Sequence, residues 1–250
     1  MHSRVLAAGW RLSTVDVHGS VTLTVWLCGC NLKCPFCHNW RIAERLACRE
    51  LHVSAIAEEV GAARSLIDYV HLTGGEPLVQ PDAVAEIFSR ARETGVRTSL
   101  NTNATLHGPL VSLLKRDLVD HVATDAKIPP DLLYGIPGSE PLWRTFLASL
   151  REMAERGIPL ELRIPVANLP PEAYRGYLEE VRRALEGSRV TVIVQPLVGQ
   201  PLVEPRDAAW CGKYCNPPDE LLEAVAEIAK PLGRVIVKRW TPGAWSRRAA

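Results

Sequence analysis

Residues 21–40 read VTLTVWLCGCNLKCPFCHNW. The first seven are apolar and β-branched, the pattern of a buried strand. The next ten hold four cysteines, at positions 28, 30, 34 and 37. A buried strand that runs straight into reactive side chains is how parallel α/β proteins build a site, at the carboxyl ends of their strands.

The rest of the chain follows that lead. Apolar, β-branched runs predict further strands over 69–72, 96–100, 121–124, 160–164, 190–194 and 234–238. Amphipathic stretches between them predict helices over 53–66, 82–94, 109–115, 142–155, 172–185 and 219–229. Pro81 and Gly95 punctuate the second of these helices. Six strand–helix units in series argue for a parallel α/β fold, a partial (β/α)6 barrel with an extra C-terminal strand. The expected organisation is one domain over 1–250. Its core covers about residues 20–200, and an extension over 199–250 carries a cysteine pair, a helix and a strand. The polar, proline-rich stretch 199–218 is a long connection of the kind that often carries function.

Unusual residues recur at the strand ends. After the second strand comes Thr73-Gly74-Gly75-Glu76-Pro77. The third is followed by Asn101-Thr102-Asn103 and the fourth by Asp125-Ala126-Lys127. Arg163 ends the fifth, and Gln195 follows the sixth. A barrel would gather all of these around one mouth. Each has a plainer reading. Gly-Gly is often only a turn. Asp125 with Lys127, or Arg163 with an acid of a neighbouring helix, could be simple ion pairs. Gln195 could be a satisfied amide, and His71 a core histidine.

Bulk properties narrow the function. With 29 Lys+Arg against 28 Asp+Glu the net charge is +1, so no general attraction to nucleic acid is implied. No 18-residue apolar run suggests a membrane span, and the N-terminus lacks the pattern of a signal peptide. A cytoplasmic protein is expected, in which seven cysteines suggest metal or catalysis before disulfides.

The cysteine cluster admits four chemistries. Cys34-Pro-Phe-Cys37-His38 matches a c-type haem attachment site, but that leaves Cys28 and Cys30 unused and normally follows export. A redox dithiol leaves Cys30 and the Gly-Gly-Glu-Pro run without a role. A structural zinc site would need Cys28 or His38 as fourth ligand, in an unusually compact set. Three thiolates, Cys30, Cys34 and Cys37, can instead hold three irons of a [4Fe–4S] cluster and leave the fourth iron open.

The spacing Cys30-x3-Cys34-x2-Cys37, with Phe36 before the third cysteine, resembles the signature of the radical S-adenosylmethionine (SAM) superfamily. Gly74-Gly75-Glu76-Pro77 resembles that superfamily's SAM-binding motif. Within it, Cys34-Pro-Phe-Cys37-His38-Asn39 is similar to the CxxCHN of glycyl radical enzyme activating enzymes, the pyruvate formate-lyase activator type. Ser13-Thr14-Val15-Asp16-Val17-His18-Gly19 resembles the lead-in of activators of the anaerobic ribonucleoside-triphosphate reductase. Leu100-Asn101-Thr102-Asn103-Ala104 resembles their LDTNG, with Asn101 in place of the acid and Ala104 in place of Gly. Asp125-Ala126-Lys127 resembles their DLK.

The resemblance implies an iron–sulfur oxidoreductase. Its reduced cluster would cleave SAM to methionine and a 5′-deoxyadenosyl radical that abstracts a hydrogen atom. It implies that Cys30, Cys34 and Cys37 bind the cluster. Gly74, Gly75, Glu76, Pro77, Asn101, Asn103, Asp125, Lys127 and Arg163 would surround SAM. In that role the glycines allow close backbone approach, Glu76 offers an acceptor, and Lys127 or Arg163 meets the methionine carboxylate. A glycyl radical enzyme is the implied protein substrate, and ferredoxin or flavodoxin the electron donor. A radical enzyme acting on a small molecule or nucleotide precursor is the first alternative, and a non-catalytic zinc-binding protein the second. Cys28, Cys48, Cys211 and Cys215 are left over. A second cluster, zinc, a 211–215 disulfide or free thiols all remain open for them.

Overall fold

The computed structural model describes residues 3–239. Nine strands form one sheet in the order β3-β1-β2-β4-β5-β6-β7-β8-β9. The six strands expected from the sequence are β2 (Thr22–Leu27), β4 (Tyr69–Gly74), β5 (Arg97–Asn101), β6 (His121–Asp125), β7 (Leu160–Val166) and β8 (Val190–Pro196). They pair in parallel, and the extra strand β9 (Arg234–Val237) joins β8 in parallel. Parallel neighbours need crossover connections. The main ones are α2 (Val53–Ala63), α3 (Pro81–Glu93), α4 (His107–Lys115), α6 (Glu140–Glu155) and α7 (Glu172–Ala184), with α9 (Asp219–Ala229) before β9. Short turns of helix, α1 (Trp40–Ala43), α5 (Pro130–Leu133) and α8 (Ala208–Tyr214), lie in the loops.

Local chemistry explains these elements. Strand β7 is buried along nearly its whole length, as a strand covered on both faces must be. Helix α3 starts at Pro81 with Asp82 in its first turn and ends with Arg90 and Arg92 in its last, complementing the helix dipole. Its apolar side, including Val84, Ile87, Phe88 and Ala91, enters the main core.

Two strands were not expected. β1 (Arg4–Ser13) pairs antiparallel with β2, and β3 (Arg49–His52) pairs antiparallel with β1 at the edge of the sheet. A bulge between Ala7 and Gly9 breaks the period of two in β1, so alternation does not reveal it. The sequence RELH of β3 is mostly exposed and has no apolar face to read.

The sheet curls. In the strand order β2 and β7 are four places apart, roughly 19 Å in a flat sheet. Yet the 14–21 connector next to β2 touches β7. Arg163 Nη2 donates to the Asp16 carbonyl at 2.6 Å, and the His18 N–H donates to Glu161 Oε2 at 3.1 Å. The parallel strands therefore form the expected partial barrel, with the connector lying across its open side.

Polar side chains occupy part of the interior. His71 Nδ1 and His121 Nδ1 both lie 2.8 Å from Ser99 Oγ. Burial lowers the pKa of both histidines, and that of His121 falls to about 4. Between the unfolded value of 6.5 and the folded one, the unfolded chain binds protons that the native chain refuses. Stability therefore falls as pH drops through that window, by up to about 1.4 kcal/mol per pH unit for each histidine. The urea midpoint is expected to drop between pH 7 and pH 5, and to drop less in His121→Asn. Equal slopes for the two proteins would refute this.

Candidate active site

The special residues meet where the parallel strands end. A solvent-open cavity of about 780 Å³ is lined by Cys30, Cys34, Cys37, His38, Gly74, Gly75, Asn101, Asn103, Asp125, Lys127, Arg163 and Gln195. Of the expected site residues, Glu76 and Pro77 alone do not line it; both are buried behind it.

Three turns are knitted together to make the cavity wall. The Gly75 N–H donates to the Leu27 carbonyl at 2.8 Å, and the Glu76 N–H to the Gly29 carbonyl at 2.7 Å. A Cβ on Gly75 would lie 2.1 Å from the Gly29 oxygen, and one on Gly74 2.3 Å from the Leu27 oxygen. Glycine is needed here because two backbones touch.

Glu76 is fully buried and looks inward. Its carboxylate accepts from the Asn103 N–H (2.6 Å), the Leu78 N–H (3.0 Å) and Thr102 Oγ1 (2.8 Å). Its pKa is raised by burial, against the pull of those donors. The expectation that Glu76 faces a ligand amine is thus replaced by a structural one: it ties the β4 turn to the β5 turn. Asn103 Nδ2 donates to Asn31 Oδ1 at 2.8 Å and points toward Cys30 Sγ at 3.9 Å. Asn101 Nδ2 donates to Thr73 Oγ1 at 2.8 Å. Ala104 sits at φ 55°, the left-handed conformation that glycine takes most easily, which is the residue this position departs from.

Charged side chains also line the cavity. Lys127 Nζ bonds Asp125 Oδ2 at 2.9 Å. Burial pushes Lys127 down and Asp125 up, but each partner's charge outweighs it, so Lys127 is raised and Asp125 lowered. Arg163 pairs through Nε at 2.7 Å with Glu161 of its own strand β7, not with the helix acid of the plainer reading, and its side chain lines the cavity. Trp10 and Arg11 line the cavity although the sequence did not point to them, and Arg11 is stacked 5.1 Å from the ring of Trp26, which also lines it. Trp10 and Arg11 stand on β1, so missing that strand meant missing them.

The seven cysteines divide cleanly. Cys28 is bonded to Cys48 and Cys211 to Cys215, with Cα–Cα distances of 6.3 and 4.8 Å. Cys30, Cys34 and Cys37 are free. Burial pushes the Cys30 thiol up to about 11 and Cys34 to about 12, and raises Cys37 as well. The Lys127 ammonium acts against this at all three, and Arg206 does so at Cys37. Among the described residues no three His, Cys, Asp or Glu side chains converge on a point that would hold one metal ion. Of the two residues that could have completed a zinc site, Cys28 is closed in a disulfide and His38 lines the cavity.

The family model of the radical SAM superfamily matches residues 24–190. The chain belongs to the radical SAM superfamily.

Radical SAM proteins use a [4Fe–4S] cluster and SAM. The residues present fit that pair: three free thiols on one wall, and a buried cation to offset the charge of thiolate ligands. Cys30, Cys34 and Cys37 would hold the cluster. With Cys28, Cys48, Cys211 and Cys215 paired, no described thiol is left for a second one.

Relatives within the superfamily differ in name. Over 116 residues the chain is 36% identical to a protein of Methanocaldococcus jannaschii provisionally named a glycyl-radical enzyme activating enzyme, covering 46% of this chain and 47% of that one. Over 88 residues it is 38% identical to the 7-carboxy-7-deazaguanine synthase of Methanospirillum hungatei, covering 35% and 36%. The chain thus spans half or less of the length of these relatives. A solved radical SAM methyltransferase from Sphaerobacter thermophilus shares the fold, with a TM-score of 0.60 at 18% identity over 90% of this chain and 70% of that one. No helix among the described residues is long and apolar enough to cross a membrane.

Proposed function

We propose that this radical SAM protein installs a glycyl radical on a partner enzyme, of the anaerobic ribonucleoside-triphosphate reductase type. The observation that carries the reading is the placement of Cys37-His38-Asn39. His38 lines the cavity, and Asn39 Nδ2 donates to the Gly74 carbonyl at 3.4 Å. The two residues through which the loop resembles the activators therefore sit in the site. The similarity to the Methanocaldococcus protein supports the same reading.

Bound cluster and SAM supply a 5′-deoxyadenosyl radical able to take a hydrogen atom from a glycine Cα. The chain supplies the rest. Cys30, Cys34 and Cys37 anchor the cluster. Lys127, oriented by Asp125, or Arg163 would offer the cation that meets the methionine carboxylate. Asn101, Asn103 and the Gly74–Gly75 backbone shape the wall, and Trp10 and Trp26 keep water from part of it. The open mouth admits a peptide loop. A ferredoxin or flavodoxin would deliver the electron.

The test is anaerobic incubation with SAM, reductant and a glycyl radical enzyme, read by electron paramagnetic resonance. A glycyl signal matched by one 5′-deoxyadenosine per radical is expected. A second reading, a small nucleotide precursor as substrate, is favoured by the relative named 7-carboxy-7-deazaguanine synthase. Turnover of such a heterocycle, with no radical on the partner, would replace the first reading with the second.

A further inference from the structure

The 199–218 connection has no part in the chemistry described so far, yet it is built with care. It folds back on itself: the Gly199 N–H donates to Asn216 Oδ1 at 3.0 Å, and the Asn216 N–H to the Leu197 carbonyl at 2.7 Å. Asp207 caps α8 by accepting the Trp210 N–H at 2.9 Å, and the Cys211–Cys215 disulfide closes the end of that helix.

This segment grips the outside of the cysteine loop. The Asp207 N–H donates to the Pro35 carbonyl at 2.9 Å. The Trp210 ring lies 6.1 Å from that of Phe36. Arg206 reaches furthest in. Its Nη1 donates to the Cys34 carbonyl at 3.4 Å, and its Nη2 lies 3.0 Å from Glu44 Oε1. Glu44 is also held by Lys33 at 2.7 Å, so two cations share one carboxylate. The Arg206 side chain is only 17% exposed, so solvent screens its charge poorly.

We propose that Arg206 is a positioning residue for the iron–sulfur cluster: from the far end of the chain it fixes the Cys34–Cys37 turn and favours the reduced cluster. The first effect is mechanical. Cys34 and Cys37 are two of the three cluster-binding thiols, and the contacts from 206, 207 and 210 all land between or on them. The second effect is electrostatic. Reduction adds a negative charge to the cluster, and a nearby cation in a poorly screened position stabilises that state, which raises the reduction potential. The inference rests on membership of the superfamily and is independent of which substrate the enzyme takes.

The full chain is reconstituted anaerobically as wild type, Arg206→Gln, Arg206→Lys and Glu204→Gln. Glu204 ties the same segment to Arg41 at 2.9 Å through an exposed pair, so it serves as control. Two quantities are measured: the cluster's midpoint potential, by redox titration followed by electron paramagnetic resonance, and the rate of iron release to a chelator. Arg206→Gln is expected to give a more negative midpoint and several-fold faster iron release. Arg206→Lys should keep the midpoint near wild type but still lose iron faster, because an ammonium cannot reproduce the forked contacts of a guanidinium. Glu204→Gln should change neither. A wild-type midpoint in Arg206→Gln, or an equal shift in Arg206→Lys, would overturn the proposal. Should Arg206→Gln fail to hold a cluster, Arg206→Lys decides alone: a wild-type midpoint supports the proposal, and a shifted midpoint or no cluster refutes it.

Discussion

Replacing Cys34 with Ala is expected to abolish the cluster and, with it, all cleavage of SAM. Cys34 is buried at the centre of the loop, between the other two free thiols in sequence. Its removal leaves two ligands where the site needs three, and none of the four remaining cysteines is free to substitute. The fold should survive, because trimming a small buried side chain costs on the order of 1 kcal/mol. After anaerobic reconstitution, wild type should carry about four irons per chain and form 5′-deoxyadenosine with dithionite and SAM. The variant should carry almost none and form no product, with an unchanged circular dichroism spectrum. Cys30→Ala and Cys37→Ala should behave alike, whereas Cys211→Ala should keep its cluster. Retained cleavage in Cys34→Ala would sink the site assignment.

Gly75→Ala should destabilise the chain and damage the site together. The new Cβ would meet the Gly29 oxygen at 2.1 Å, and the obstacle is backbone that cannot rotate away. Relief requires the β4 turn to part from the cysteine loop, breaking the Gly75–Leu27 and Glu76–Gly29 hydrogen bonds. Overpacking of this kind costs about 1–3 kcal/mol, so a fall in melting temperature of roughly 3–10 °C is expected. SAM affinity should fall as well, because the same two turns form one wall of the cavity. Gly61→Ala is the natural comparison. Nothing lies within 4 Å of a Cβ there, and the site is inside helix α2, so that change should stabilise by up to about 1 kcal/mol. A Gly75→Ala protein that melts and binds SAM like wild type would show that the two turns need not touch.

Much of this architecture is legible in the sequence because its signals are local. Runs rich in apolar and β-branched residues stand out, and the segments at 21–27, 160–164 and 190–194 appear as β2, β7 and β8. The cysteine spacing is equally local, since three ligands in one loop need no long-range contact to be recognised. Elements whose existence depends on a partner leave no such trace. β3 is held by pairing with β1 rather than by burial, and β1 itself loses its alternation at the Gly9 bulge. Trp10 and Arg11 could not be placed at the cavity without it. The resemblance of Gly74-Gly75-Glu76-Pro77 to a SAM-binding motif implies that Glu76 offers its carboxylate to a ligand. The Leu78 N–H is a local donor, but only the approach of the Thr102–Asn103 turn, 26 and 27 residues later, supplies the other two that let the carboxylate be buried.

The cysteines draw the same line. Resemblance to the radical SAM signature singles out Cys30, Cys34 and Cys37, a signature that is legible because all three stand in one loop. It left the other four open between metal, disulfide and free thiol. The pairing of Cys28 with Cys48 depends on α1 folding back against the end of β2, where the Gly29 N–H meets the Ile42 carbonyl at 3.1 Å. The sequence by itself thus determined the parallel α/β scaffold and the chemistry at its strand ends. The tertiary structure decided what surrounds that chemistry: which carboxylate turns inward, which thiols are spent, and how a segment from residues 199–218 comes to hold the cysteine loop. Those choices depend on contacts between distant segments, and no local pattern encodes which backbone will be there to meet a side chain.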